Sequence, residues 1–318
     1  MTHHKRQTTN DKRPPTLPIT GTFLDEISHD IPSQNWGRAE WDREFELYER
    51  IGIDTVVLIR AGYQDRCVFP ARSVPDLLPV HDDLAGLFLD LAEAHRIKLF
   101  FGLFDSGRHW VGGDWKAEVE LNLGFIDEVA RRYGRHPAFQ GWYLCHETGR
   151  KEAFTVDLYN ELGRACKAAV DRPVLISPYP QGAKQPGGIP LTLEESFAQW
   201  HEIFEQTRGA FDVCAFQDGQ VHYRELPQFQ EGIAELGRRY GVTVWANVEC
   251  FDRDMPIKFP PADWRNLRFK IESASQSAEK LITFEFAHFL SPHSCYPAAH
   301  NLFRRYAEHF GLDTGGKS

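Results

Sequence analysis

The sequence predicts a (β/α)8 barrel, because strand-like and helix-like segments alternate along most of its length. Eight short apolar or β-branched runs recur about every 37 residues between Ile19 and Lys280. An amphipathic segment long enough to cross back over a sheet follows each run, and no long linker or change in composition divides them. Eight such units in one chain close most naturally into a barrel. An open, doubly wound sheet is the alternative, but no run is followed by the GxGxxG or GxxxxGKS/T motif of its nucleotide-binding versions.

The individual elements follow from this alternation. The strand-like runs begin at Ile19, Asp54, Lys98, Phe139, Arg172, Phe211, Thr243 and Lys280. The helix-like segments lie near residues 40–51, 82–95, 116–132, 155–170, 191–207, 225–240, 262–273 and 297–310. The second of these segments has the i, i+3, i+4, i+7 spacing of one buried helical face, at Leu84, Leu87, Phe88 and Leu91.

The repeat also sets the expected domain boundaries. Residues 19–312 are expected to form a single barrel domain, with flexible tails at residues 1–18 and 313–318. The N-terminal segment contains proline, threonine and charged residues without apolar periodicity, as is typical of mobile tails.

Composition excludes several classes of function. Among 318 residues, 36 are Lys or Arg and 45 are Asp or Glu, so the net charge of −9 disfavours binding to phosphate backbones. No apolar run approaches the ~20 residues of a membrane span, and the N-terminus lacks the apolar core of a secretion signal. The six cysteines form no CxxC pair. These features predict a cytoplasmic protein with reduced thiols and without nucleic-acid or membrane partners, while its oligomeric state stays open.

Two glutamates end apolar runs where the active site of a barrel is expected. Barrel enzymes place their chemistry at the C-terminal ends of the strands. Glu147 ends GWYLCHE in the fourth run and Glu249 follows VWANV in the seventh. Side chains at these two positions can face each other across the mouth, where one carboxyl can act as acid and the other as nucleophile or base on a glycosidic bond. The alternative is that each glutamate caps a helix or pairs with a cation.

Other polar and aromatic residues near the strand ends suit a sugar site, because hydroxyl groups need directional partners and sugar C–H faces need flat apolar surfaces. The predicted substrate-binding residues are Asn35, Trp36, Arg60, Tyr63, Asp105, Trp110, Tyr179, Gln217, Asp218, Asn247 and Glu285. Arg60 is expected to meet a carboxylate such as Glu249, unless it points outward. Asp218 could instead be a turn residue, and Glu285 is the main alternative catalytic carboxylate.

Other classes of barrel enzyme fit the sequence less well. His146, His222 and His288 lie near strand ends, but HxH on the first strand and HExxH are both absent. Lys98 and Lys280 lie at the N-terminal ends of their strands, the wrong place for a Schiff-base lysine. Ser177 lacks the GxSxG turn of a serine hydrolase. We therefore expect no metal and no cofactor.

The same residues resemble known families. The two glutamates are similar in position to the acid/base and nucleophile of clan A retaining glycoside hydrolases, although that clan's acid/base usually follows an asparagine and here follows His146. The segments ITGTFLDE, NW at 35–36, GIDTVVLI, GWYLCHE, FQDG and NVECF resemble a bacterial domain-of-unknown-function family grouped with barrel glycoside hydrolases, over residues 19–310. This resemblance implies a barrel that cleaves a glycoside or oligosaccharide, with Glu147 as acid/base and Glu249 as nucleophile. A carbohydrate-binding barrel without turnover remains the main alternative, and a metal-dependent barrel hydrolase is a lesser one.

Overall fold

Eight parallel strands form a closed barrel in the computed structural model, which describes residues 15–28, 31–184, 189–253 and 258–314. The strands are β1 (Ile19–Leu24), β2 (Thr55–Leu58), β3 (Lys98–Gly102), β4 (Phe139–Leu144), β5 (Val174–Ile176), β6 (Val213–Gln217), β7 (Thr243–Asn247) and β8 (Lys280–Thr283). Each strand pairs with its neighbours in chain order, and β8 pairs with β1 to close the barrel. The predicted fold class is confirmed, and all eight predicted runs form strands.

Helices cover the outside of the barrel. They are α1 (Arg38–Ile51), α2 (Leu84–Ala94), α3 (Trp115–Tyr133), α4 (Thr155–Ala169), α5 (Leu193–Gln206), α6 (Leu226–Tyr240), α7 (Trp264–Ala274), α8 (Phe286–Phe289) and α9 (Pro297–Phe310). Each of the eight predicted helical segments overlaps one of these helices along most of its length.

Local sequence sets where the helices begin and end. At the start of α5, the Thr192 hydroxyl accepts a hydrogen bond from the Glu195 amide at 3.2 Å, and the Glu195 carboxylate accepts one from the Thr192 amide at 2.8 Å. This reciprocal capping satisfies two amides that have no partner inside the helix. At the end of α6, Gly241 has a φ of +72°, which glycine adopts without steric cost. Such residues end each helix at a position from which the chain can enter the next strand.

Two small elements at the barrel mouth were not predicted. The loops after β2 and β3 form a three-stranded sheet from Gly62–Tyr63, Arg66–Cys67 and Phe104–Asp105. The short helix α8 directly follows β8. Strands of two residues are too short to show a periodic pattern, so the sequence gives no signal for them.

The predicted tails lie mostly outside the described residues. Residues 1–14 and 315–318 belong to that part of the chain, and residues 15–18 precede β1 without regular structure. Among the helices of the described residues, none is both long and apolar enough to cross a bilayer. The six cysteines are free thiols, and five of them are buried.

Candidate active site

The two predicted catalytic glutamates lie just beyond the C-terminal ends of β4 and β7. Glu147 comes three residues after β4, and Glu249 comes two residues after β7. The helices that follow begin further along, with Phe154 capping α4 and Asp263 capping α7. The alternative that these glutamates cap helices is therefore wrong.

Glu147 is held by neutral donors and lies near two arginines. The Tyr143 hydroxyl donates to its Oε1 at 2.9 Å, and the Gln217 side chain also hydrogen-bonds it. Burial raises the pKa of Glu147, while the attraction of Arg60 and, more weakly, of Arg253 opposes that rise. Since the rise prevails, the carboxyl is biased towards its protonated form, as a general acid requires.

Glu249 is held by a charged donor instead. Its side chain is only 1% exposed. Arg253 donates to both carboxylate oxygens, from Nη2 to Oε1 at 2.6 Å and from Nε to Oε2 at 3.2 Å. The expectation that Arg60 pairs with Glu249 is wrong, because Arg253 takes that position. A side chain at residue 219 would clash with Glu249, since a Cβ on Gly219 would lie 1.8 Å from Oε2.

Arg60 organises a different wall of the mouth. Its Nε donates to Asp105 Oδ2 at 3.2 Å and its Nη1 to the Ser28 hydroxyl at 2.8 Å, while its guanidinium lies 5.3 Å from the centre of the Tyr63 ring. The other oxygen of Asp105 accepts from the Trp110 indole at 2.9 Å. Electrostatic attraction to Glu147 raises the pKa of Arg60 further. Four predicted residues, Arg60, Tyr63, Asp105 and Trp110, are thus joined to one another.

Gln217 and Asn247 are both hydrogen-bonded to Ser177, at the end of β5. Besides contacting Glu147, Gln217 donates to the Ser177 carbonyl at 2.9 Å, and Asn247 donates to the Ser177 hydroxyl at 3.2 Å. Tyr179 lies against Gly149, where a Cβ would come within 2.2 Å of its ring. Its pKa is raised by burial and by the nearby Glu147. This half-exposed ring therefore lies beside the predicted acid.

Asp218 and Glu285 lie behind the mouth. Asp218 is 3% exposed and pairs with Lys270 at 2.7 Å, and burial raises its pKa to about 6. Glu285 is fully buried, and its Oε2 lies 2.5 Å from Nδ1 of His288. Asp218 is thus paired with Lys270 and Glu285 with His288, so each of these predicted residues is held by a neighbouring cationic or imidazole side chain.

Asn35 and Trp36 lie on the loop after β1. The Asn35 amide side chain donates to the Ser33 carbonyl at 3.3 Å, and the Trp36 ring packs edge-on against Trp41 of α1 at 4.9 Å. Within the described part of the chain, no hydrogen bond or ring contact joins either residue to a glutamate of the site. The structure thus connects these two predicted residues to helix α1 and its loop.

Several residues of the site were missed by sequence reasoning. Arg253 and Lys270 bind Glu249 but lie beyond the strands that were searched, while Tyr143 was part of an apolar run. His146 was considered only as a metal ligand, yet its Nε2 lies 2.9 Å from the buried Glu118 of α3. The spacing of four between Glu249 and Arg253 is the one local signal that could have suggested a pair.

A metal centre finds no support here. In the described ranges, no group of three or more His, Cys, Asp or Glu side chains is arranged to hold an ion. His288 donates from Nε2 to the Pro32 carbonyl and hydrogen-bonds Glu285 through Nδ1, while His146 contacts Glu118. These imidazoles are used in separate pairs.

Comparison with known proteins places the chain in a family. Over residues 19–296 the sequence matches a family described as a domain of unknown function, DUF4434. The chain belongs to this family. The predicted resemblance to a domain-of-unknown-function family of barrels is thereby confirmed. No curated protein matches the sequence.

Solved structures show that this DUF4434 chain has the fold of glycoside hydrolase barrels. A candidate alpha-L-fucosidase from Bacteroides thetaiotaomicron VPI-5482 is 42% identical, with 95% of this chain and 98% of that chain covered and a TM-score of 0.91. An endo-1,4-beta-D-mannanase from Thermotoga petrophila RKU-1 is 13% identical, with 92% and 99% covered and a TM-score of 0.59. A GH18 chitinase from Pseudoalteromonas aurantia is 10% identical, with 90% and 99% covered and a TM-score of 0.57.

Proposed function

We propose that this protein is a glycoside hydrolase in which Glu147 is the general acid/base and Glu249 the nucleophile. The observation that supports this most is the contrast between the two carboxyls. Burial raises the pKa of Glu147, whereas both oxygens of Glu249 are paired with the guanidinium of Arg253. A carboxyl whose proton is held more tightly and a second carboxyl oriented by a cation suit the acid/base and the nucleophile of glycosidic cleavage.

The reaction would proceed in two steps. Glu147 gives its proton to the glycosidic oxygen while Glu249 attacks the anomeric carbon, so the leaving alcohol departs and a covalent glycosyl ester forms. Glu147, now ionised, takes a proton from water, which attacks the same carbon and releases Glu249. Tyr143 and Gln217 keep Glu147 oriented through both steps. Because Arg253 engages both oxygens of Glu249, one of these contacts must open when a substrate enters.

The first substrates to test are α-L-fucosides. A protein 42% identical to this chain, aligned over nearly its whole length, was crystallised as a candidate alpha-L-fucosidase. The wall formed by Arg60, Asp105 and Trp110 offers both charged hydrogen-bonding groups and a flat ring, which suits sugar hydroxyls and C–H faces. We further propose that residues 19–312 act as one catalytic domain.

The test is turnover of an aryl-glycoside panel that includes 4-nitrophenyl α-L-fucoside. Replacing Glu249→Gln keeps the shape but removes the nucleophile, so kcat should fall by about a thousandfold or more. Glu147→Gln should slow substrates with poor leaving groups far more than activated aryl glycosides, which need little protonation. Glu161→Gln, on the exposed face of α4, is the matched control and should retain full activity.

Two results would contradict the assignment. Near-normal turnover by Glu249→Gln would remove its role and direct attention to Glu285 or Asp218. An anomeric product of inverted configuration, measured by proton NMR in the first minutes of reaction, would replace the covalent step with direct attack by water.

A second candidate function is sugar binding without turnover. It is favoured by one observation, the engagement of both Glu249 oxygens by Arg253 in a side chain that is almost fully buried. If both contacts persisted with a sugar bound, Glu249 would not be free to attack an anomeric carbon. Equilibrium binding of L-fucose or an oligosaccharide, together with no hydrolysis of any panel member, would favour this function over catalysis.

A further inference from the structure

A closed set of hydrogen bonds surrounds the backbone of residue 249. The amide of Glu249 donates to Asp218 Oδ1 at 3.1 Å, and the carbonyl of Glu249 accepts from Lys270 Nζ at 2.9 Å. Lys270 Nζ also lies 2.7 Å from the same Asp218 oxygen. Asp218 and Lys270 therefore bind the backbone amide and carbonyl of Glu249, and they also bind each other.

Burial makes this arrangement stiff. The side chains of Lys270 and Asp218 are 4% and 3% exposed. Removing two charges from water costs free energy unless they are paired and hydrogen-bonded, so a buried pair of this kind tolerates little displacement. Glu249 lies in a loop, since β7 ends at Asn247. The flanking amides of Val248 and Cys250 donate to carbonyls at the end of β8. The Glu249 peptide itself is held by Asp218, just after β6, and by Lys270 of α7.

The pair also acts on the charge of the site. The ammonium of Lys270 attracts both Asp218 and Glu249, while Asp218 and Glu249 repel each other. Arg253 faces the same carboxylates, and Tyr223 lies near Lys270. Lys270 therefore favours the ionised form of Asp218.

We propose that Lys270 and Asp218 are positioning residues, which fix the peptide of Glu249 and thereby aim its carboxylate at the substrate. The part of this inference that concerns catalysis rests on the proposed function. The fixing of the peptide does not, because it can be measured without turnover.

The experiment compares three variants of the full chain, Lys270→Met, Asp218→Asn and the double variant that removes both charges. The double variant leaves no unpaired buried charge, so it keeps the test available if a single variant fails to fold. Lys167→Met is the matched control. Lys167→Met removes an ion pair with Asp212, in which the N–O distance is also 2.7 Å. Asp212 lies just before β6, whereas Asp218 lies just after β6.

Hydrogen exchange measures the peptide directly. A proteolytic fragment that covers residues 246–253 should exchange its amides at least about tenfold faster in Lys270→Met and in the double variant than in the wild type. The control variant should leave that fragment unchanged. Equal exchange in all five proteins would overturn the proposal, whatever their activity.

Kinetic measurements report how well the Glu249 carboxylate is oriented towards the substrate. In the variants kcat should fall about tenfold or more while KM changes much less, because substrate contacts remain but the geometry of attack is lost. Unchanged kcat in all three variants, or a change in KM alone, would overturn the positioning role. A wild type without turnover would refute the proposed function alone, since the exchange result still decides whether the peptide is fixed.

Discussion

At the scale of single residues, Glu147 and Glu249 have the same side chain and opposite surroundings. Burial raises the pKa of Glu147, which accepts hydrogen bonds from neutral donors, whereas a guanidinium binds Glu249 at both oxygens. The difference arises from which partner the fold brings to each strand end. Identical carboxyls are thereby suited to different steps of one reaction.

The bidentate geometry of Arg253 leads to a prediction. Replacing Arg253→Met should lower kcat by about a hundredfold, because Glu249 loses the charge partner that orients it. Arg253→Lys should recover part of this loss, since an ammonium restores the charge but cannot form two parallel hydrogen bonds. Steady-state kinetics on the best panel substrate measures both effects. If both variants have wild-type kcat, the pair has no catalytic importance.

At the scale of helices and strands, glycines show where elements touch. Gly163 in α4 lies against the loop before β6, and a Cβ there would lie 2.2 Å from the Ala210 carbonyl oxygen. Gly124 in α3 is exposed, and the nearest atom to its Cβ would be Ser73 Cβ at 3.8 Å. A side chain would therefore clash at Gly163 but would fit at Gly124, although both glycines lie in neighbouring helices.

These two positions should respond oppositely to alanine. Gly124→Ala should stabilise the protein by about 0.5–1 kcal/mol, because it removes backbone freedom from the unfolded chain without a steric clash. Gly163→Ala should destabilise it by roughly 1–3 kcal/mol, because α4 must move away from the Ala210 backbone. Denaturant unfolding of both variants measures the difference. A stabilising Gly163→Ala would show that α4 has room to move outward.

At the scale of the whole molecule, buried ionisable groups link stability to pH. The fully buried His288 pairs with Glu285, which raises the pKa of the imidazole from 6.5 to about 9 despite the opposing effect of burial. Burial also raises the pKa of Glu26, a neighbour of this pair, from 4.5 to about 7. Both groups hold their proton more tightly in the folded state than in the unfolded state. The contribution of each group to the free energy of unfolding therefore falls as pH rises.

The His288 contribution gives a window that can be measured. It is fully present below pH 6.5 and is lost as pH rises through about 9, with a total of up to about 3 kcal/mol. The free energy of unfolding should therefore decline between pH 6.5 and 9 in the wild type and decline less in His288→Asn. The exposed His81→Gln is the control and should keep the wild-type slope. Equal slopes in all three proteins would contradict a protonated His288.

Local patterns in the sequence are enough to predict the barrel, its eight strands, the eight helices that follow them and the position of Glu147 and Glu249 at strand ends. Hydrophobic periodicity and helix caps are local properties, and a barrel places every strand end at one mouth, so these features can be derived from neighbours in the chain. The partners of the glutamates are not local. Lys270 reaches Glu249 from 21 residues away on a helix, and Glu118 reaches His146 from 28 residues away. Only tertiary structure decided that Arg253 rather than Arg60 binds Glu249, because a long charged side chain takes whichever carboxylate packing leaves within reach.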